Sequence, residues 1–552
     1  FLPVAGHEFI LYDDPVYVTE NKHVLGGISG EGLRWSLTAT DGGSWHPLTW
    51  WSHMLDVQLF GRSAGGHHAT SALLHAASGA CLFWFLSGAT GALRASLFVA
   101  GLFALHPLHV ESVSWVSERK DVLAGFFWML ALAAYGAYVR RPLGRRFAAV
   151  TAFSVLALMS KPMAVTLPLA LLLLDFWPFG RLRRPLAAGS RAVFIEKAPL
   201  LALSAVTGFV TIQAQRSAGA LESLGDVPEA FRNAMLSMRV MNAVQSYVVY
   251  LRETLWPAGL TVFYPHPAHA LDLRNAVLAA LALAAVTTLL GLAHRRAPQL
   301  ITGWLWYLIT LLPVIGFLQV GEQARADRYT YLPLIGVFIM VGWSCRRAAA
   351  TRPALGRHLV AAGAAVVALL GAAAVRQVGW WRDQDTVFSH AAAVTSGNYV
   401  AYRSLGDLAL SRGDFVTAER YVRLEVGVTP KAPGTYTRLA RALSGQGRRE
   451  EAVEAYEEAI RIDPGYVIAR NNLGVLLTAL GRFEEADAHL RAAARLSPRI
   501  GEIHANLGDN LAAQGRSAEA AESYRRALEL NPALTHAREG LERLRAAAAG
   551  GP

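Results

Sequence analysis

Apolar residues fill the first two thirds of the chain in runs broken by short loops, and the last third changes to a charged, alanine-rich pattern of helical period. The apolar runs predict helices that enter a bilayer at about 67–88, 94–107, 121–139, 147–160, 162–178, 198–213, 273–293, 299–319, 331–345 and 358–376. Several fall short of the ~20 residues that span a hydrocarbon core, so these must be tilted, buried among neighbours or re-entrant. The proline of SKP (160–162) predicts a break between two of them, because the residue before proline is disfavoured in a helix.

Beyond residue 397 a register repeats. Proline recurs at Pro430, Pro464, Pro498 and Pro532, glycine at Gly413, Gly447, Gly481 and Gly515, and alanine at Ala418, Ala452, Ala486 and Ala520, each 34 residues apart. Leu405, Leu439, Leu473 and Leu507 keep the same step. This is the period of tetratricopeptide repeats, in which small residues let paired helices pack closely and proline ends the second helix. The first copy departs from it, with Glu425 where later copies have alanine, and LTHAREGLERLRAAAA reads as a capping helix. The predicted fold is all-α, a polytopic helical bundle followed by an α-solenoid. The divisions fall at 1–66 (a first loop), 67–376 (about ten spans), 377–396 (linker), 397–534 (four repeats) and 535–552 (cap and tail).

Composition agrees with a membrane chain: of 552 residues, 53% are hydrophobic and 17% charged. A net charge of +11 raises nucleic acid as a partner, but the arginines cluster in short loops between apolar runs, which is how membrane proteins set orientation. The basic clusters RRPLGRR (140–146), GRLRR (180–184), HRR (294–296) and CRRAAATR (345–352) all become cytoplasmic in one count of crossings. That count places 1–66, the loops 106–120, 214–272 and 320–330, and everything after 376 on the outer face. It also requires a further helix before FLPVAG, or a cleaved signal sequence, to deliver residue 7 outward. Cys81 and Cys345 lie in apolar runs and offer neither a disulfide framework nor a metal site.

The outward segments concentrate the polar chemistry: YDDPVYV, WHPLTWWSHMLD (45–56), HPLHVESVSWVSERKD (106–121), SKP, WPAGLTVFYPHP (256–267) and ADRYTYLP (326–333). Interfacial tryptophan and tyrosine are ordinary, but charges at a membrane boundary are costly unless they pair or line a wet cavity. Taken together, the acidic pair in the first outward loop, these motifs and the repeat tail resemble the transmembrane-and-tetratricopeptide O-mannosyltransferase-like family, over about residues 9–540. The resemblance implies a GT-C type membrane glycosyltransferase that takes a sugar from a polyprenyl phosphate donor and passes it to an acceptor outside the cytoplasm. Animal members are associated with mannose transfer to protein Ser or Thr. The Ala- and Arg-rich character of this chain suggests a bacterial inner-membrane setting, which leaves the sugar and the acceptor open.

In the family pattern the first-loop acids carry catalysis, which maps to Asp13 and Asp14. On an extended segment adjacent carboxylates point to opposite sides, so one is expected to act as base and the other to hold a metal or an arginine. Asp-Asp-Pro alternatively makes only a turn. Cations on the outer face are the candidates for donor phosphate: Lys161 and Arg328 first, then Arg325, Arg119 and Lys120, with His106, His109 and His266 as hydrogen-bond donors. For Arg328 the alternative is a salt bridge, with Asp327 adjacent; for 118–121 it is a loop of paired charges. The histidine spacings do not make a zinc site, and a divalent cation is left open. First helices of the repeats offer Arg403, Asp407, Arg441, Asn471 and Asp509 to a protein or peptide in the concave groove. Two other readings stand beside the transferase, a membrane-anchored repeat scaffold and a transporter.

Overall fold

The computed structural model describes all residues except 183–187, 218–228, 267–270, 318–320 and 550–552. Parts of the GRLRR cluster, of the expected loop 214–272, of the expected span 299–319 and of the chain end fall outside the described residues. Two compact units divide at Thr395 and Ser396, and each is described by itself.

The first unit is helical, and every expected apolar run falls on a helix. Among the described residues six helices are long and apolar enough to cross a membrane: Ala64–Thr90, Val116–Arg140, Ser190–Ser217, Leu273–Leu292, Leu334–Thr351 and Pro353–Gly379. The pair Leu93–Leu105 and Pro107–Ser114, bent by 52°, makes a seventh if counted as one span. Gly144–Ser160, Leu167–Phe176 and Pro298–Leu311 have only 17, 10 and 14 residues, too short to cross alone. The chain is therefore a multi-pass membrane protein in which several of the apolar runs lie on helices too short for a full crossing, as their lengths led us to expect. A correction concerns 214–272: much of this expected loop is the 27-residue helix Glu229–Leu255, whose polar and charged residues break it into stretches too short to read as an apolar run.

Backbone breaks set the polar end of this unit. Gly144–Ser160 stops at Lys161, which is extended (φ −152°, ψ 132°) because Pro162 follows. The carbonyl of Ser160, left without a helical partner, accepts the Thr49 hydroxyl at 2.9 Å. Trp115 (φ −95°, ψ 119°) interrupts the helical path between Val110–Ser114 and Val116–Glu118. Helices Pro298–Leu311 and Leu334–Thr351 meet backbone to backbone where Gly303 and Gly336 face each other, since a Cβ on either glycine would collide with the other's carbonyl oxygen. The described β-structure is one antiparallel pair, Tyr264–Pro265 with Gln323–Arg325.

The second unit is four helix pairs and a cap: Tyr399–Ser411 with Phe415–Val428, Pro433–Gly445 with Arg449–Ile462, Val467–Ala479 with Phe483–Leu496, Gly501–Ala513 with Ser517–Leu530, and then Thr535–Ala549. Gly413, Gly447, Gly481 and Gly515 turn each pair at φ of 73–80°, a left-handed conformation that favours glycine. Glu425, the departure in the first copy, is fully buried and held by Arg403 at 3.0 Å and Arg438 at 2.5 Å. Its counterparts Ala459, Ala493 and Ala527 are buried without such partners, so the extra acid is matched by basic residues on neighbouring helices.

Because each repeat contacts its neighbours locally, residues 396–552 are expected to fold alone. A Cβ at Gly474 would lie 2.5 Å from Leu490 Cγ, so Gly474→Ala is expected to lower the stability of that fragment by ~1–3 kcal/mol in urea unfolding. An unchanged midpoint contradicts the close helix pairing described.

Candidate functional site

Asp13 and Asp14 lie in a turn that leads into the single-turn helix Pro15–Thr19, with Asp14 helical at φ −57°, ψ −28°; the extended segment expected for them is not present. Pro15 favours such a helix start. The consequence is unequal burial. Asp14 is fully buried: its Oδ2 accepts the Ile10 N–H at 2.7 Å, and its Oδ1 accepts the Ser117 N–H at 2.9 Å and the Ser117 hydroxyl. Its hydrogen-bond partners are these backbone and hydroxyl donors rather than an arginine. Burial pushes its carboxyl up to about 7, against the pull of Ser117 and Ile10. Asp13 is half-buried and its carboxylate makes no hydrogen bond among the described residues. Burial raises its pKa above the usual carboxylate value, Lys120 and Arg328 lower it, and Glu118 raises it, so these groups share one field.

Glu118 organises that field. One oxygen meets Lys120 at 3.2 Å and Arg328 at 3.3 Å, and the other meets Lys161 at 3.2 Å. Lys161 also pairs with Asp121 at 2.6 Å, and Arg328 pairs with Glu111, whose second oxygen accepts the Arg328 N–H at 2.8 Å. The adjacent Asp327 is not the partner of Arg328; it accepts the Tyr264 hydroxyl at 2.8 Å. Lys120 donates to the Tyr17 hydroxyl at 3.1 Å, with its ammonium 4.6 Å from that ring's centroid. The Arg328 guanidinium lies 5.5 Å from the Trp115 centroid. The acids are 2–3% exposed, whereas the three cations keep 12–14% of their side chains open. Segments far apart in sequence are thereby joined: the first loop, 111–121, the SKP break and 327–330.

Other expected phosphate ligands lie elsewhere. Arg119 is fully buried and turned inward, to Asp56 at 2.7 Å, Ser71 at 2.9 Å, Ser52 at 2.8 Å and the His67 carbonyl at 2.5 Å. Fully buried, it is closed to an outside anion. His106 is fully buried, with one ring nitrogen on the Thr254 carbonyl (3.0 Å) and the other on the Leu108 N–H (3.2 Å); His109 bonds the Phe103 carbonyl at 2.7 Å. Arg325 stacks 3.8 Å from the Tyr264 centroid and pairs with Glu253 at 3.0 Å, so it belongs to the two-stranded sheet, and His266 directly follows the strand Tyr264–Pro265. Sequence reading missed Glu111, Glu118 and Asp121 as organisers, although ERKD held the signal: two acids flanking two cations beside an apolar span. Among the described residues no group of three or more His, Cys, Asp or Glu side chains is arranged to hold a metal ion.

The five groove candidates all sit on first helices of the repeats. Arg403 is committed to Glu425, Asp407 lies 3.9 Å from Arg438, and Asp509 accepts the Tyr524 hydroxyl at 2.6 Å. Asn471 accepts from Asn506 of the next repeat at 2.9 Å, and Arg441 is exposed.

The unequal burial of the acids predicts unequal stability effects. Asp14→Asn places an amide where three donors converge and is expected to cost ~1–3 kcal/mol, whereas Asp13→Asn stays within about 0.5 kcal/mol. Thermal unfolding of the two variants in detergent checks the difference, and equal midpoints contradict the buried role of Asp14.

A tetratricopeptide-repeat family model matches residues 437–499 and a second matches 501–534. The Drosophila melanogaster protein O-mannosyl-transferase Tmtc2 is 32% identical over 189 residues, covering 32% of this chain and 20% of that protein. The human protein O-mannosyl-transferase TMTC1 is 23% identical over 532 residues, covering 85% of this chain and 54% of that protein. The chain thus spans about half the length of the human relative. A solved structure of MamA from Desulfovibrio magneticus RS-1 is 19% identical with a TM-score of 0.26, over 27% of this chain and 85% of that one, which adds nothing to the helix pairs already described. The chain carries tetratricopeptide repeats and is similar to proteins named protein O-mannosyl-transferase, in keeping with the resemblance of its outward motifs.

Proposed function

We propose that the chain is an integral-membrane glycosyltransferase of GT-C type that moves a mannose-like sugar from a polyprenyl phosphate to a hydroxyl acceptor, with protein Ser or Thr as the acceptor class. The observation that carries this reading is an unbonded carboxylate, Asp13, in the field of three cations gathered on Glu118. Asp13 takes the proton of the acceptor hydroxyl, whose oxygen attacks the anomeric carbon as the bond from that carbon to the phosphate oxygen breaks. The polyprenyl phosphate leaves with the bonding electrons, and Lys161, Lys120 and Arg328 receive its charge. Asp14 positions: by holding Ser117 it fixes the segment that bears Glu118 and Lys120. A divalent cation is not needed for this scheme, and none of its steps runs through one.

The first loop and the repeat unit face away from the cytoplasm in this reading, across a bacterial inner membrane, and the repeats bind the acceptor protein or a partner peptide. The relatives' name supports mannosyl transfer, and the repeat fold supports peptide binding. A scaffold that merely anchors repeats has no use for three partly open cations beside an unbonded acid.

Transfer from mannosyl polyprenyl phosphate to a Ser/Thr peptide, followed by mass measurement, tests the proposal. Asp13→Asn keeps shape without basicity and is expected to slow transfer by roughly 10²–10⁴-fold. A base must be ionised, so wild-type rate should fall as pH is lowered through a midpoint above the ordinary carboxylate value of about 3.9, because burial raises the Asp13 pKa. Wild-type rates in Asp13→Asn, or no acidic limb, contradict the assignment. Lys161→Ala and Arg328→Ala are each expected to weaken donor use by about one to two decades while sparing acceptor binding; donor dependence unchanged in both removes them from the site.

A further inference from the structure

A second polar site lies at the opposite end of the helical unit. Ala64–Thr90 begins beside Arg119, through His67 and Ser71, and ends at Thr90; Leu334–Thr351 begins just past Arg328 and ends with Arg346, Arg347 and Thr351. Helices of 27 and 18 residues run ~40 and ~27 Å, so their far ends reach the other membrane face. There a cavity of about 390 Å³ is lined by Thr90, Trp177, Gln299, Trp343, Arg346 and Arg347 together with alanine and proline. A neighbouring cavity of about 360 Å³ shares Gln299 and Arg347 and adds Ser344 and Thr351. Among the described residues no acidic side chain lines either one.

The lining is made for an anion. Arg347 donates to the Arg296 carbonyl and keeps its charge uncompensated, and Arg346 has no ion pair or hydrogen bond among the described residues. Trp343, 5% exposed and edge-on to Trp177 at 5.1 Å, carries a buried indole N–H with no acceptor. Gln299, 8% exposed, adds an amide between the two cavities. A buried donor without a partner and two open guanidiniums on one side of a cavity call for a ligand with several acceptor oxygens and negative charge. Tryptophans at the rim place that ligand at the headgroup level of a bilayer.

We propose that this cavity binds the phosphate of an anionic phospholipid headgroup from the leaflet opposite the Glu118 cluster, with Arg346, Arg347 and the Trp343 N–H on the phosphate oxygens. The site is separate from the transfer chemistry and does not depend on it. Basic pockets between membrane helices take anionic headgroups because neither water nor a protein acid neutralises the charge of their cations.

The full chain in phosphatidylcholine nanodiscs, with and without phosphatidylglycerol, tests this by native mass spectrometry and thermal unfolding. Wild type is expected to retain phosphatidylglycerol and to melt higher in its presence. The double variant Arg346→Gln, Arg347→Gln should lose retention by about one to two decades in affinity, and Trp343→Phe, which keeps the ring, by several-fold. Arg357→Gln, on Pro353–Gly379 and outside both cavities, should retain lipid like wild type. Wild-type retention in both the double variant and Trp343→Phe overturns the site. Equal loss in Arg357→Gln reduces it to general surface charge. If inorganic phosphate in phosphatidylcholine discs gives the same protection as the lipid, the ligand is a soluble phosphate and the headgroup assignment is overturned. Should the double variant fail to fold by circular dichroism, Trp343→Phe decides alone.

Discussion

One carboxylate holds together what would otherwise fly apart. Lys120, Lys161 and Arg328 come from three separate segments, and gathering them costs roughly 2 to 4 kcal/mol of repulsion for each pair at the dielectric of a partly buried site. Glu118, within 3.3 Å of all three, offsets that cost, and Asp121 and Glu111 each secure one of the cations from behind. Removing a partner from so buried a set leaves uncompensated charge, which is why such a cluster either is complete or does not form. Its outer edge stays partly open, and in the proposed transfer that is where an anionic leaving group would find three positive groups already in place.

The rest of the helical unit serves this arrangement. Pro162 forces Lys161 out of the helix, and the break at Trp115 turns the chain so that 111 and 118 both approach Arg328. The meeting of Gly303 with Gly336 draws Leu334–Thr351 against its neighbour and so fixes the segment that precedes it. Asp14 ties the first loop to Ser117, next to Glu118, which leaves Asp13 beside the cations with its own oxygens unbonded. Charge in this unit is a tertiary property, assembled by backbone breaks more than by any one element.

What the amino-acid pattern revealed follows from how locally each feature is encoded. The repeat register was legible down to single residues, because a glycine such as Gly481 recurs wherever a helix pair turns through a left-handed backbone. The apolar runs and the SKP break were legible for similar reasons. The direction of a charge was not. Arg119 and Lys120 are neighbours in sequence, yet successive helical residues point ~100° apart, so one turns inward to Asp56 and the other to Tyr17 and Glu118. His106 read as an outward donor because burial does not show in a motif. Asp13 and Asp14 looked equivalent until the turn at Pro15 buried one and left the other open. The acids of 111–121 were passed over because they looked like partners for local lysines, while their real partners lie as far as 40 and 217 residues away.

The central claim is that Glu118 keeps three cations acting as one phosphate-receiving group, and it is tested most directly by a double-mutant cycle in single-turnover transfer. The singles Glu118→Gln and Arg328→Gln and their double are compared at saturating acceptor, with folding checked by thermal unfolding. If the cations act as a unit, Glu118→Gln alone already disperses them, and the double variant is no slower than the worse single, giving a coupling energy of about 0.5–3 kcal/mol. Strictly additive losses, or wild-type turnover in a folded Glu118→Gln variant, would contradict it.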